Sequence, residues 1–164
     1  MAWAKNGTPY TEASTSDDMD ITDMTAKKFN QFMVHSSAAS GNQTQQNFTF
    51  ENNSNSVYAR RSNGNGGTDA TGTSATFFTS NYGVSNWGDQ FTVMYVSSIS
   101  GEEKLAIYHV VWGNTAGAAN APERVEVVAK FAPSPDSDIT RIDSNNSASG
   151  SYQTGNNISA LGTD

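Results

Sequence analysis

The sequence predicts an all-β protein, specifically an antiparallel β-sandwich of the jelly-roll kind. Composition is the first reason: 15% of the 164 residues are charged and 35% are hydrophobic, while Gly, Asn, Ser and Thr are abundant. Such residues satisfy the backbone of turns by local hydrogen bonds. The second reason is a period-two alternation of apolar residues, strongest in the second half of the chain, which indicates strands. Short strands without a long helical pattern are typical of sandwiches and jelly rolls.

The chain divides into a short polar segment and one domain. Residues 1–18 are polar and contain turn residues such as Asn6-Gly7 and Pro9, so they predict an N-terminal arm. Residues 19–164 contain the alternating segments and predict a single β-sandwich domain, because this length suits one hydrophobic core.

The first half of the domain contains three weaker strand signals. Residues 29–35 are apolar and also fit one helical turn, but the β-rich surroundings and the following Gly41-Asn42 turn favour a strand. Residues 47–50 and 56–60 alternate and predict two more strands. Residues 62–76 are almost entirely polar or Gly, and predict a long surface loop.

The strongest strand signals lie between residues 91 and 131. Residues 91–96 and 105–112 alternate with apolar side chains on both faces, and their connector has the length of a hairpin loop. A third strand follows Pro122 over residues 125–131 and ends at two prolines. Strands that are apolar on both faces are expected at the centre of packed sheets. Shorter strands are expected at residues 139–142 and 158–161.

Candidate metal ligands are few. His35 and His109 lie in predicted strands without the paired spacing of a zinc site, so they are expected to be hydrogen-bonded sheet positions. The acidic residues around two turns lack the spacing and the glycine of a calcium-binding EF-hand loop, and are expected to be solvated; they are Asp17, Asp18, Asp20, Asp23, Asp136, Asp138 and Asp143. No metal or other cofactor is therefore expected.

Catalytic motifs are also absent from the sequence. It contains neither a Gly-x-Ser-x-Gly nucleophile motif nor a phosphate-binding loop. Four glutamates could supply the carboxylate pair of a glycosidase, but their positions give no reason to expect convergence; they are Glu102, Glu103, Glu123 and Glu126. The protein is not expected to be an enzyme.

Three aromatic residues, two in a loop and one at the end of a strand, have separate interpretations. Tyr82 and Trp87 lie in a Gly/Asn/Ser-rich loop, where aromatic rings either stack on a sugar or anchor a protein partner, or fold back into the core. The two interpretations are equally supported for both residues. Trp112 ends a strong strand and is expected in the core.

The net charge of −7 makes nucleic acid an unsuitable partner, because phosphate binding requires clustered Lys and Arg. The chain has no cysteine, and so no disulfide or thiolate chemistry. No apolar run approaches the roughly 20 residues of a membrane-spanning helix. The first residues lack the pattern of a secretory signal, and synthesis without export is expected.

Three segments resemble structural proteins of bacteriophage virions. Residues 139–162 contain a strand-like Ile-Thr-Arg-Ile segment, a Ser/Gly turn, an aromatic residue, a second turn and a final strand. This order is similar to the ending of many such proteins, although Ala160-Leu161-Gly162 replaces the usual Leu-Tyr-Gly. Residues 21–34 and 48–60 resemble earlier segments of the same proteins, in the same order.

The resemblance implies a jelly-roll-like domain of phage tails, head fibres or capsid decoration, with no catalytic residues. It also implies assembly in the host cytoplasm as a homo-oligomer, for which a trimer is favoured, and contact with capsid or tail proteins. The arm, with Trp3 near its tip, would suit docking onto a neighbouring subunit. The alternative function is a receptor-binding module that recognises a host surface glycan through Tyr82 and Trp87.

Overall fold

The computed structural model describes residues 2–38, 44–79, 89–113, 117–148 and 151–164. Within these ranges every regular element is a β-strand, every strand pairing is antiparallel, and no helix occurs. The predicted all-β class is confirmed.

The described residues form thirteen strands. In chain order these are β1 (Ala4–Lys5), β2 (Tyr10–Thr11), β3 (Asp18–Ile21), β4 (Phe29–Ser36), β5 (Gln46–Phe50), β6 (Tyr58–Gly64), β7 (Ala70–Ala75), β8 (Phe78–Thr79), β9 (Gln90–Ser97), β10 (Lys104–Trp112), β11 (Glu123–Phe131), β12 (Ile142–Asn146) and β13 (Asn157–Thr163).

These strands form two sheets. The large sheet has the order β1-β13-β4-β9-β10-β11-β6-β7, and β2 also pairs with β13. The small sheet has the order β3-β12-β5-β8. The strands predicted at residues 29–35, 91–96, 105–112 and 125–131 all lie in the large sheet, where β9, β10 and β11 are neighbours.

The hydrophobic core lies between the two sheets. Phe50 of the small sheet contacts Phe131 of the large sheet at a ring-centroid distance of 5.7 Å, and Phe48 contacts Tyr108 at 6.3 Å. Edge-to-face pairs of this kind add about 0.5–1.5 kcal/mol each beyond the burial of their area. Trp112 is buried in this core, as the sequence predicts.

The prediction of a long loop over residues 62–76 is wrong. Strand β6 continues to Gly64, a tight turn with positive φ at Asn65 and Gly66 follows, and β7 covers most of the remainder. Strand β7 is the last strand of the large sheet and is largely exposed. Its backbone hydrogen bonds to β6 do not require apolar side chains, so this strand has no apolar alternation in its sequence.

The last predicted strands are close to the observed ones. Strand β12 begins at Ile142, where the expected strand ends, because its polar residues pair with β3 and β5 through the backbone. Strand β13 includes the predicted residues 158–161 and extends beyond them on both sides.

The N-terminal residues lie against the chain's own large sheet. Ala4 pairs with Gly162 and Tyr10 pairs with Ile158, both on β13. Between β1 and β2, the buried Asn6 donates from its side-chain amide to the Thr25 carbonyl and to Asn30 Oδ1, each at 3.0 Å. Residues 2–12 therefore follow the β13 edge of the large sheet.

Candidate interaction surface

The outer face of the large sheet carries an exposed apolar surface, which we call the apolar face. Its exposed fractions range from 37% at Phe29 to 58% at Leu105. The large exposed apolar side chains among the described residues all belong to it: Trp3, Phe29, Phe91, Tyr95, Leu105, Ile107, Val111 and Val128.

Strict alternation along β10 produces this face. Ala106, Tyr108, Val110 and Trp112 point towards the core and are buried, so the residues between them point outwards and are exposed. A strand places successive side chains on opposite faces of its sheet. The sequence prediction that both faces of these strands are packed is therefore wrong for this chain alone: the small sheet covers only one of them.

Strand register aligns the apolar side chains in rows across the sheet. Tyr95, Ile107 and Val128 occupy facing positions on β9, β10 and β11. Phe91 and Val111 face each other in a parallel row further along the same strands. Facing side chains in neighbouring strands lie about 4.5–5.5 Å apart, so each row forms a continuous apolar strip.

Trp3 stands at one corner of the apolar face. It lines a groove of about 320 Å³ together with Phe29, Tyr95, Leu105 and Ile107. Pairing of β1 with β13 holds the neighbouring backbone against the sheet. The predicted docking residue Trp3 thus lies beside the exposed strands of its own chain.

Ion pairs within the chain line the β11 and β6 side of the apolar face. Arg61 Nη1 lies 3.1 Å from Asp69 Oδ2, and Lys130 Nζ lies 2.9 Å from Glu103 Oε2. Arg124 Nε lies 3.5 Å from Glu126 Oε1. Exposed pairs of this kind add little stability, but each of these three basic groups is balanced by an acid, so the three pairs add no net charge to this side of the face.

The two histidines lie on the apolar face but are separated from each other. His35 on β4 faces Phe91, and His109 on β10 faces Val93 and Glu126. No group of three or more His, Asp or Glu side chains within the described ranges is close enough to hold a metal ion. Tyr82 and Trp87, the predicted glycan or partner contacts, lie outside the described residues.

Several of the acidic residues hold segments of the chain together. Arg141 donates from Nε to Asp143 at 2.6 Å and from Nη2 to Asp20 at 3.0 Å. Asp23 accepts the Thr8 backbone N–H at 2.8 Å and the Thr8 hydroxyl at 2.7 Å, and these bonds hold the pKa of Asp23 below its usual range. These carboxylates have structural partners instead of being merely solvated.

A buried lysine fixes the hairpin that carries the centre of the apolar face. Lys104 is fully buried, and its Nζ donates to the carbonyls of Ile99 at 2.7 Å and Glu102 at 2.8 Å. Asp136 completes the set, with carboxylate oxygens at 2.8 and 3.0 Å from Nζ. These contacts tie the β9–β10 connection to the chain after β11. The sequence contained the signal, because position 104 is in phase with the buried residues 106, 108, 110 and 112.

Within the described ranges there is no helix long and apolar enough to cross a membrane. Comparison of the chain with protein-family models, with curated proteins and with solved structures finds no match. The functional argument therefore depends on the fold and on the apolar face.

Proposed function

We propose that this protein is a non-enzymatic structural subunit of a bacteriophage virion, either a capsid decoration, a head fibre or a tail component. It acts by self-assembly and by contact with other virion proteins, after synthesis in the host cytoplasm. The observation that carries the proposal is the apolar face. The phage assignment depends on the sequence resemblance and on the strand order.

The size of the apolar face supports an assembly function. Exposed fractions of 37–58% on eight large side chains correspond to roughly 800 Å² of accessible surface, about what each partner contributes to a standard protein–protein interface. The largest apolar patch of a typical monomer covers about 300–600 Å². A larger patch with a charged border is typical of a protein interaction site.

The strand order supports a jelly roll. In a jelly roll with strands numbered along the chain, strands one, eight, three and six form one sheet, and strands two, seven, four and five form the other. We number β3 to β8 as strands one to six, β11 as strand seven and β12 as strand eight. The first jelly-roll sheet then corresponds to the small sheet, β3-β12-β5-β8. This numbering also reproduces the order β4, β11, β6, β7 in the large sheet, once the neighbours β9 and β10 are set aside.

In this numbering, the β9–β10 hairpin lies in the large sheet between β4 and β11, the second and seventh strands of the jelly roll. This hairpin supplies Phe91, Tyr95, Leu105, Ile107 and Val111, the majority of the apolar face. A widened sheet with an uncovered apolar side suits a protein whose second packing layer comes from a partner. Jelly rolls are common in viral capsid proteins, in agreement with the resemblance.

Electron microscopy of phage particles with gold-labelled antibody against the recombinant protein tests the proposal. Particles are taken from lysates of the organism that encodes the chain. Gold over the capsid would identify a decoration, capsid or head-fibre subunit, and gold at one pole would identify a tail component. Purified particles that carry no gold would contradict the proposal.

A second experiment connects particle incorporation to the apolar face. Tagged wild-type protein, Ile107→Glu and the matched control Ser54→Glu are supplied during phage growth, and purified particles are probed for the tag. Ser54 is exposed in the connection between β5 and β6, outside the apolar face. We expect incorporation of the wild type and the control and loss of Ile107→Glu; equal incorporation of all three would contradict a role for this face.

A further inference from the structure

We infer that the apolar face is covered by the apolar face of another copy of this chain, so that large sheets stack outer face to outer face. This inference depends on the proposed function, since it names the partner of the same surface. Three properties of the face lead to it: its area, its charge and the position of its centre.

The area matches what a homotypic contact needs. A face of roughly 800 Å² that meets a second identical face buries about 1,600 Å² in total, the standard size of a stable interface. The same residues contribute on both sides, as they do in symmetric homo-oligomers. Apolar aromatic and aliphatic side chains dominate the face, which is typical of homo-oligomeric interfaces.

The charge distribution allows identical copies to meet there. The whole chain carries a net charge of −7, so contact through most of its surface would bring like charges together. The border of the apolar face is different, because Arg61, Arg124 and Lys130 are each paired with an acid of the same chain. These three pairs add no net charge to the β11 and β6 side of the face, so two copies meeting there bring less repulsion together than contact through the rest of the acidic surface.

The centre of the apolar face is Ile107 on β10. Its row neighbours are Tyr95 on one side and Val128 on the other, and Ile107 itself is 53% exposed. Stacked sheets lie about 10 Å apart, so the Ile107 side chains of two stacked faces come within reach of each other near the centre. A charge at this position would be buried without a partner in the assembly.

Light scattering coupled to size-exclusion chromatography gives the first test, with circular dichroism to verify that each variant is folded. The wild type and Ser54→Glu are expected to have the mass of two chains at micromolar concentration, and Ile107→Glu the mass of one. Two chains indicate a pair of stacked sheets. Three chains, the trimer favoured by the resemblance, would not stack one face on one other face and would overturn the inference. A wild type with the mass of one chain would overturn the inference.

Cross-linking identifies the surface directly, because the chain has no cysteine. In Ile107→Cys the new thiol is the only one, and a short bis-maleimide can bridge stacked sheets whose spacing exceeds the reach of a disulfide. Covalently joined chains are expected for Ile107→Cys, and only single chains for Ser54→Cys. An oligomer in which Ile107→Cys is not joined would show that another surface makes the contact, and would overturn the inference.

The inference and the proposed function can fail separately. A monomeric wild type that still labels phage particles, with Ile107→Glu lost from them, would show that another virion protein covers the face; the function would then stand without the self-contact. A cross-linked oligomer that labels no particle would support the self-contact and contradict the virion assignment.

Discussion

Individual buried polar residues stabilise this fold at points where segments meet. Lys104 is the clearest example, because its charged group is fully buried among two carbonyls and the Asp136 carboxylate. A buried ammonium is tolerated only when its hydrogen bonds are satisfied. The residue thus stabilises the connection that sets the shape of the β9–β10 hairpin.

Replacing Lys104 by Met should keep the buried volume but remove these bonds. The carbonyls of Ile99 and Glu102 would lose a donor, and we expect a loss of about 3 kcal/mol in the free energy of unfolding. Urea unfolding followed by tryptophan fluorescence measures this change. An unchanged unfolding midpoint would show that the Lys104 contacts do not stabilise the fold.

Asp136 should contribute to stability in a pH-dependent manner. The hydrogen bond from Lys104 is the main reason that the pKa of Asp136 lies below its usual range, and the Gly101 N–H adds a second bond. Its contribution is present above the ordinary aspartate pKa and is lost as pH falls through that value towards the lower folded pKa. Asp136→Asn should therefore show a smaller loss of stability on acidification than the wild type, measured by urea unfolding between neutral and acidic pH. The same acid slope in both proteins would contradict this role.

Glu12 should affect the pH dependence of stability in the opposite direction from Asp136. Glu12 is 2% exposed, and burial raises its pKa; hydrogen bonds from Tyr10 and Ser16 partly oppose this shift, and repulsion from Asp18 and Asp20 adds to it. A carboxyl with a raised folded pKa favours the folded state at pH values below the ordinary glutamate pKa, and this contribution is lost as pH rises through the folded pKa. Glu12→Gln is thus expected to be more stable than the wild type at neutral pH, with a smaller difference in acid. Denaturant unfolding at several pH values measures the difference; a less stable variant at neutral pH would contradict this assignment.

At the scale of single elements, the strands of the two sheets are of two kinds. Strands β9 and β10 are apolar on both faces and β11 is apolar on its core face, and their alternation made them predictable. Strand β7 and most of β12 are polar, and backbone pairing with their neighbours defines them. A period-two pattern arises because one face of a strand is buried. An exposed edge strand such as β7 has no buried face and therefore no such pattern in its sequence.

Two glycines test how closely the β1–β2 connection is packed. Gly7 and Gly101 both have positive φ, but a Cβ at Gly7 would lie 2.6 Å from Ile21 Cγ2, whereas a Cβ at Gly101 would meet no atom within 4 Å. Gly101→Ala should cost about 1 kcal/mol for the left-handed conformation alone. Gly7→Ala should cost about 3 kcal/mol, because overpacking adds to the same backbone penalty. Equal costs in urea unfolding would show that residues near Gly7 are not packed against the sheet.

Among the described residues, the large sheet packs one face against the core and leaves its other face exposed. The small sheet has four strands, and the core lies between it and the inner face of the large sheet. The outer face is apolar at its centre, and three ion pairs line its β11 and β6 side; on these grounds we propose that it serves assembly. This arrangement distinguishes the chain from a self-sufficient sandwich, in which outward residues are polar.

Salt should distinguish an apolar assembly from an electrostatic one. Contacts between exposed charges weaken as ionic strength rises, whereas apolar burial is maintained, and sulfate strengthens it. The oligomer formed by the wild type is therefore expected to persist in concentrated sodium chloride and to be stabilised by ammonium sulfate. Sedimentation velocity across a salt series measures the populations, and dissociation by sodium chloride would indicate that charges, and not the apolar face, hold the copies together.

The sequence alone determined the all-β class, the strongest strands and the core position of Trp112. The reason is that the alternation of apolar residues, which marks the buried face of a strand, can be seen within a few neighbouring residues. It also placed Ile107 and its neighbours on one face of a strand. Only the tertiary structure decided which of the two apolar faces the small sheet covers, and that β7 joins the large sheet although its sequence looks like a loop. The physical reason is that pairing and layer contacts form between residues distant in the chain, and local periodicity carries no information on which distant surface they meet.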